Sequence, residues 1–230
     1  MHVGMLLFPN LTQLDLIGPA EVFYRMPGAR VDLLWTSLEP VTSDTGMSLL
    51  PTMTFDDCRT LDLICVPGGP GQIELMDHAA TLQFLRRIAP TCQLVTSVCT
   101  GSLILAAAGL LKGYRATSHW ASVDQLKILG AIPVSERVVR DRDRVTGAGV
   151  TSGIDFALGV VHDMLGEEVA KMIQLQMEYD PQPPFASGSE RSASADLVAK
   201  VREGMKPVLE RRRAATEAAA RRLTERQAAQ

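Results

Sequence analysis

Four apolar runs of strand length, at residues 3–8, 31–36, 61–66 and 94–98, recur along the chain with loops and helical patterns between them. Among the intervening segments, residues 81–89 are amphipathic and residues 103–111 are rich in alanine. Strands apolar on both faces must be covered on both faces, so this alternation specifies parallel strands with crossover helices on either side. The fold class read from the pattern is α/β. In open sheets of that kind, ligands bind beyond the carboxyl ends of the strands, where Phe8-Pro9, Pro67-Gly68-Gly69 and Cys99 should emerge.

The rest of the chain reads less regularly. Val134, Val138-Val139 and Val145 flank the charged turn Asp141-Arg142-Asp143-Arg144, so residues 131–146 suggest short strands joined by a hairpin. The glycine-rich stretch 147–153 precedes an apolar helix that begins at Ile154 and ends near Leu165. A proline-rich segment, 180–185, ends the following helix, and the Ser/Gly/Ala stretch to Ala195 reads as a linker. From Asp196 onward the pattern predicts one or two charged helices broken near Gly204 and Pro207. The expected organisation is one domain over 1–188, then a linker and helical tail over 189–230.

With 230 residues, 46% of them hydrophobic and 21% charged, the chain can build one sizeable core. The N-terminus lacks a secretory pattern and no apolar run reaches the roughly 18 residues of a membrane span, so a cytoplasmic protein is expected. Four cysteines in such a chain are expected to be reduced. No C-x-x-C pair occurs, and the four histidines, at 2, 78, 119 and 162, have no zinc-like spacing, so no metal is expected. Residues 191–230 hold ten Lys/Arg against five Asp/Glu, a +5 tail on a chain whose net charge is −3. The tail's mixed signs and lack of aromatics argue for a solvated helix and against nucleic-acid binding.

Cys99 stands where the apolar run 94–98 turns into a small-residue helix beginning Thr100-Gly101-Ser102. A thiol at that junction meets the positive end of a helix dipole and unpaired N–H groups, which favours thiolate; Ser97 and Gly101 suit a sharp strand-to-helix turn. Cys65, inside Leu63-Ile64-Cys65-Val66, suits the ordinary role of a small buried hydrophobe, and Cys58 and Cys92 carry no such signal.

Asp15 interrupts Leu14-Asp15-Leu16-Ile17. Held among leucines, its carboxyl would ionise reluctantly and exchange a proton near neutral pH; equally, it would suit a cap for a helix entering at Gly18-Pro19. The turn Pro67-Gly68-Gly69-Pro70-Gly71 follows a buried strand, and its glycines allow close approach of backbone N–H groups to developing negative charge. His119, beside Trp120, is read as a pocket neighbour; nothing local orients it as the base of a Cys-His pair, and no histidine has a glutamate two residues on.

Together these segments resemble the ThiJ/PfpI superfamily, relatives of the class I glutamine amidotransferases. The resemblance rests on Leu14-Asp15-Leu16-Ile17-Gly18-Pro19, Ile64-Cys65-Val66-Pro67-Gly68-Gly69, Thr96-Ser97-Val98-Cys99-Thr100-Gly101-Ser102, Arg115-Ala116-Thr117-Ser118-His119-Trp120, Gly153-Ile154-Asp155-Phe156-Ala157-Leu158 and Gln174-Leu175-Gln176-Met177-Glu178-Tyr179. It implies a three-layer sandwich with a mostly parallel flavodoxin-like sheet and a helical C-terminal tail. Many superfamily proteases, chaperones and deglycases have glutamate where Asp15 stands and often histidine where Thr100 stands.

Aspartate with Cys-Thr-Gly is similar to the isocyanide hydratases, and also to the sensor half of AraC-type regulators. Only about forty residues follow the linker, too few for two helix-turn-helix units. The resemblance therefore implies an enzyme that adds water to a small isocyanide. Its expected catalytic residues are Cys99 as covalent nucleophile, Asp15 as general acid/base and Thr100. Gly69, Pro70, Gly71, His119, Trp120 and Val150 are expected to bind substrate. No cofactor and a homodimer are implied. The alternatives are a cysteine-based ligand or redox sensor and a methylglyoxal glyoxalase, and the absence of histidine after Cys99 argues against the latter. One departure from the hydratase pattern is Ala148, in a run that is glycine-rich there, which bears on the mobility of the helix beside the cysteine.

Overall fold

The computed structural model describes residues 1–228. Seven strands form the central sheet: β1 His2–Leu6, β2 Arg30–Trp35, β3 Met53–Thr54, β4 Leu63–Val66, β5 Leu94–Val98, β6 Val138–Asp141 and β7 Arg144–Gly147. Their order is β6-β7-β5-β4-β1-β2-β3. Every neighbouring pair is parallel except the β6/β7 hairpin at one edge. The register is continuous through the centre, with Met5 beside both Leu33 and Cys65, and Cys65 beside Thr96. All residues of β4, β5 and β7 are buried, as expected for strands covered on both faces.

Seven α-helices flank the sheet: α1 Gln13–Phe23, α2 Gln72–Leu75, α3 Ala79–Ile88, α4 Gly101–Ala107, α5 Ser152–Leu165, α6 Glu167–Gln176 and α7 Ala195–Ala228. Helices α1, α5 and α6 pack in sequence on one another, while α4 packs with α2, α3 and α7. The result is the three-layer α/β sandwich with a mostly parallel sheet and a C-terminal helix. No helix among the described residues is long and apolar enough to cross a membrane.

Three local expectations are corrected. Helix α1 begins at Gln13 and runs through Gly18 and Pro19, so Asp15 lies inside the helix and caps nothing at Gly18. Proline there removes only the N–H that would bond the Asp15 carbonyl. Leu16, Ala20, Val22 and Phe23 are buried, and Phe23 meets Phe156 of α5 edge-on at 6.1 Å, which holds the helix across the proline.

Residues 131–146 do not all join one hairpin. Ile132–Pro133 pairs instead with Arg115–Ala116 in a separate small ladder. The third correction concerns the tail, which is one 34-residue helix continuous through Gly204 and Pro207. A helix-interior proline costs about 3 kcal/mol. The helix is pinned on both sides of that position: upstream Arg202 lies 4.7 Å over the Trp120 ring, and downstream Arg212, Thr216 and Ala219 are buried against the domain.

Candidate active site

The site is built where two adjacent parallel strands end. After Val98, the chain turns at Cys99 with φ +57°, a left-handed conformation that costs a side-chain-bearing residue about 1–2 kcal/mol. The surroundings over-determine it. Cys99 N–H donates to Gly147 O at 3.0 Å, and the Cys99 carbonyl accepts from Ser102 Oγ at 3.2 Å and Ser118 Oγ at 3.1 Å. Gly101 completes the turn by sheer proximity, because a Cβ there would stand 2.1 Å from Val66 O and 2.6 Å from Pro67 O.

At the end of β4, the glycine turn faces this elbow. Gly68 N–H donates to Asp15 Oδ2 at 2.9 Å, and Gly69 N–H donates to the Thr100 hydroxyl at 3.2 Å. A Cβ on Gly68 would lie 2.5 Å from Thr100 N and 2.9 Å from Asp15 Oδ2, so glycine is what lets the two meet across the turn. Asp15 is fully buried and its Oδ1 has no hydrogen-bond partner.

Burial pushes the Asp15 carboxyl up to about 7, against the opposing pull of Gly68 N–H and Cys99, with Asp44 adding to the rise. Cys99 is 6% exposed. Contrary to the expected thiolate, its thiol is held well above the ordinary range. Burial is the main cause and the Asp15 charge the second; Thr100 N–H and Arg212 pull the other way without prevailing. A helix terminus returns at most about 2 kcal/mol to an anion, less than the cost of removing a thiolate from water. The pair therefore ionises at the carboxyl first.

The remaining expected residues are spread around this centre. Gly69 touches Thr100 as described, but its N–H is already engaged. Gly71 N–H bonds Asn10 O at 3.0 Å, and the residue is packed against the Pro9 carbonyl. Pro70 is exposed. His119 is mostly buried, and burial together with Arg212 lowers its imidazole to about 4, so it is neutral at physiological pH. Its Nδ1 accepts from Ala121 N–H at 3.3 Å. Trp120 lies beside it, with ring centroids 5.7 Å apart. Val150 is half-buried in the turn before α5.

Four residues of this region escaped the sequence reading: Gln72, Ser118, Ser122 and Arg212. Ser118 holds the elbow carbonyl, whereas Arg212 reaches Gln72 Oε1 at 2.8 Å and Ser122 Oγ at 3.0 Å. Arg212 sits in a run of three arginines and nothing in the local pattern singles it out. A cavity of about 790 Å³ adjoins the elbow at Ser118, Trp120 and Gly149, and its outer wall includes linker residues Gly188–Arg191. Cys99 does not line it.

A strained cysteine elbow, a buried acid and a glycine turn at the carboxyl edge of a parallel sheet define a class of cysteine-centred α/β proteins. The DJ-1/PfpI family model matches residues 1–163, and the chain belongs to that family. Among its relatives is the isonitrile hydratase of Pseudomonas putida, 52% identical over 223 residues that cover 97% of this chain and 98% of that protein. A ThiJ/PfpI family protein from Pseudomonas syringae, known by crystal structure, is 44% identical and superposes with a TM-score of 0.91 over 95% of this chain and 90% of its own. The glutathione-independent glyoxalase DJR-1.2 of Caenorhabditis elegans is more distant, at 27% identity over 72% of this chain and 90% of that protein.

Proposed function

We propose that this protein hydrates isocyanides to N-substituted formamides. The observation that carries the reading is a buried Asp15 carboxyl, poised at about 7, coupled to the buried Cys99 sulfur. The near full-length similarity to the Pseudomonas putida isonitrile hydratase supports the choice of substrate class. An acid whose pKa matches the working pH both takes and returns a proton. A terminal isocyanide carbon requires both, because it is attacked by a nucleophile and is then itself protonated.

In the proposed sequence, Asp15 takes the thiol proton as sulfur bonds to the carbon of R–N≡C, then delivers that proton to the same carbon. The product is a thioimidate, R–N=CH–S–Cys99. Asp15 next deprotonates a water that adds to this carbon, and the nitrogen gains the proton. Collapse of R–NH–CH(OH)–S–Cys99 breaks the C–S bond, returns a proton to sulfur and releases R–NH–CHO. The sum is R–NC plus water.

Thr100 acts twice in this scheme. Its N–H steadies the sulfur, and its hydroxyl, held by Gly69, hydrogen-bonds the water or Asp15. His119, Trp120, Val150 and the glycine turn bind the R group. The low exposure of Cys99 favours a rod-like, terminal reacting group over a bulky one. The proposal takes the protein to be a cytoplasmic homodimer, with residues 1–188 as the catalytic unit and 189–230 as linker and tail.

Incubation with alkyl and aryl isocyanides should yield stoichiometric formamide, followed by loss of the isocyanide infrared band. Cys99→Ala should lower turnover by at least about 10³-fold. Asp15→Asn should keep a thiol that alkylates and lose turnover by about 10²-fold or more. Lactate from methylglyoxal with no formamide would replace this reading by a glyoxalase, and peroxide oxidation of Cys99 without any turnover would replace it by a sensor.

A further inference from the structure

Helix α7 fastens itself to the domain with arginines of two kinds. Arg211 pairs with Glu74 at 3.0 Å, Arg213 with Glu217 at 3.1 Å and Asp124 at 3.7 Å, and Arg222 with Asp77 at 3.1 Å; the first two are exposed and Arg222 is half-buried. Arg212 is only 5% exposed, and among the described residues no carboxylate lies within ion-pair distance of it. Its Nε and Nη1 are met by a neutral amide oxygen and a neutral hydroxyl. A buried guanidinium satisfied only by neutral groups keeps its field, and leaving it without a counter-charge costs stability that the rest of the packing must offset.

Its two partners belong to opposite walls of the site. Gln72 is the first residue of α2, directly after the glycine turn that holds Asp15 and Thr100. Ser122 closes the turn that starts at His119, its N–H bonding His119 O at 2.8 Å. The guanidinium field reaches Cys99 and His119. Around the sulfur, the charged or titratable neighbours are thus Asp15 from α1, Arg212 from α7 and the neutral His119, with Asp44 acting on Asp15 from behind.

We propose that Arg212 is a positioning residue of the active site: from the C-terminal helix it clasps the α2 turn to the His119–Ser122 turn and presents an uncompensated positive charge to the Cys99 sulfur. The Asp15–Cys99 pair shares one negative charge once it has lost a proton. Arg212 acts on the sulfur end of that pair. Moving the proton from sulfur to carboxyl therefore brings the negative charge toward the arginine, which favours the nucleophilic form at the moment of attack. The inference rests on the reading of Cys99 as the reactive thiol, and it is tested on that thiol directly, independent of any isocyanide.

The full-length protein, Arg212→Met and Arg212→Lys are alkylated with iodoacetamide across pH 6 to 10, and Cys99 is followed by peptide mass spectrometry beside the half-buried Cys92 as an internal control. In Arg212→Met, Cys99 labelling at pH 8 should slow about tenfold, the size expected for loss of one nearby charge. Arg212→Lys should recover part of that loss, and Cys92 should not change. A folded Arg212→Met with the wild-type profile overturns the proposal. Should that variant not fold, Gln72→Met and Ser122→Ala are read instead, since each releases one grip while keeping the charge; unmoved profiles in both overturn it. Wild-type protein whose Cys99 never labels overturns this inference and the proposed function together, whereas labelling indifferent to position 212 overturns the arginine's role alone.

Discussion

The elbow at Cys99 and the C-terminal helix meet at one site, yet they are made in opposite ways. At the elbow, the turn itself is local, a left-handed cysteine, a glycine two residues on and the Ser102 hydroxyl on the Cys99 carbonyl, and the neighbouring strand ends and Ser118 lock it in place. Helix α7 is a surface helix over most of its 34 residues and contributes through a few buried positions, Arg212, Thr216 and Ala219, the first two of which bond residues 90 to 140 positions earlier in the sequence. Strain in the first is tolerated because packing leaves the backbone no alternative. Specificity in the second comes from which one of several arginines lost its water.

If this contrast is right, damage should scale with how far each region can yield. Gly101→Ala should be the most severe, since the new Cβ meets two backbone carbonyls at 2.1 and 2.6 Å and neither can move without opening β4; a loss of about 4 kcal/mol or more is expected in denaturant unfolding. A loss below about 1 kcal/mol would show the elbow to be softer than its geometry implies.

Asp15→Asn comes next and tests the electrostatic half of the elbow. The carboxyl's pKa is raised in the folded protein to about 7 from 3.8, so its favourable contribution is complete below about pH 4 and is lost as pH rises through 7. The wild type should therefore lose on the order of 4 kcal/mol more stability than Asp15→Asn between pH 4 and 8. Parallel pH profiles for the two proteins would mean that Asp15 ionises as freely as an exposed carboxyl.

On the helix the effects should be smaller and graded by burial. Thr216 donates to Gln125 Oε1 at 2.9 Å and to its own helix carbonyl of Arg212 at 2.8 Å, and is fully buried. Thr216→Val should lower stability by about 1–2 kcal/mol, because it leaves the Gln125 oxygen unpaired. Arg211→Ala, which removes an exposed pair with Glu74, should change stability by less than about 0.5 kcal/mol. An effect of Arg211→Ala as large as that of Thr216→Val would place the helix's anchorage in its surface charges and dissolve the contrast drawn between its arginines.

Much of the elbow was readable from the chain. The apolar run 94–98, the small residues around Cys99 and the glycine turn 67–71 announced a strand end, a sharp turn and a close approach, and each is local chemistry. Asp15 was readable as unusual but not as assigned, since its burial depends on α1 starting at Gln13 and packing against α5. The state of the thiol was misread for a related reason: the helix N-terminus is visible in the sequence, whereas the exclusion of solvent and the neighbouring carboxyl are not.

The sequence by itself therefore determined the central strands, their parallel sense and the position of Cys99 at a strand end, because period, turn chemistry and backbone permissiveness act over a few residues. Only the tertiary structure decided that Asp15 is buried at the glycine turn, that the helix persists through Gly204 and Pro207, and that Arg212 among its neighbours is the one turned inward. Desolvation is the physical reason. It belongs to the packed assembly of distant segments, and no stretch of neighbouring residues encodes it alone.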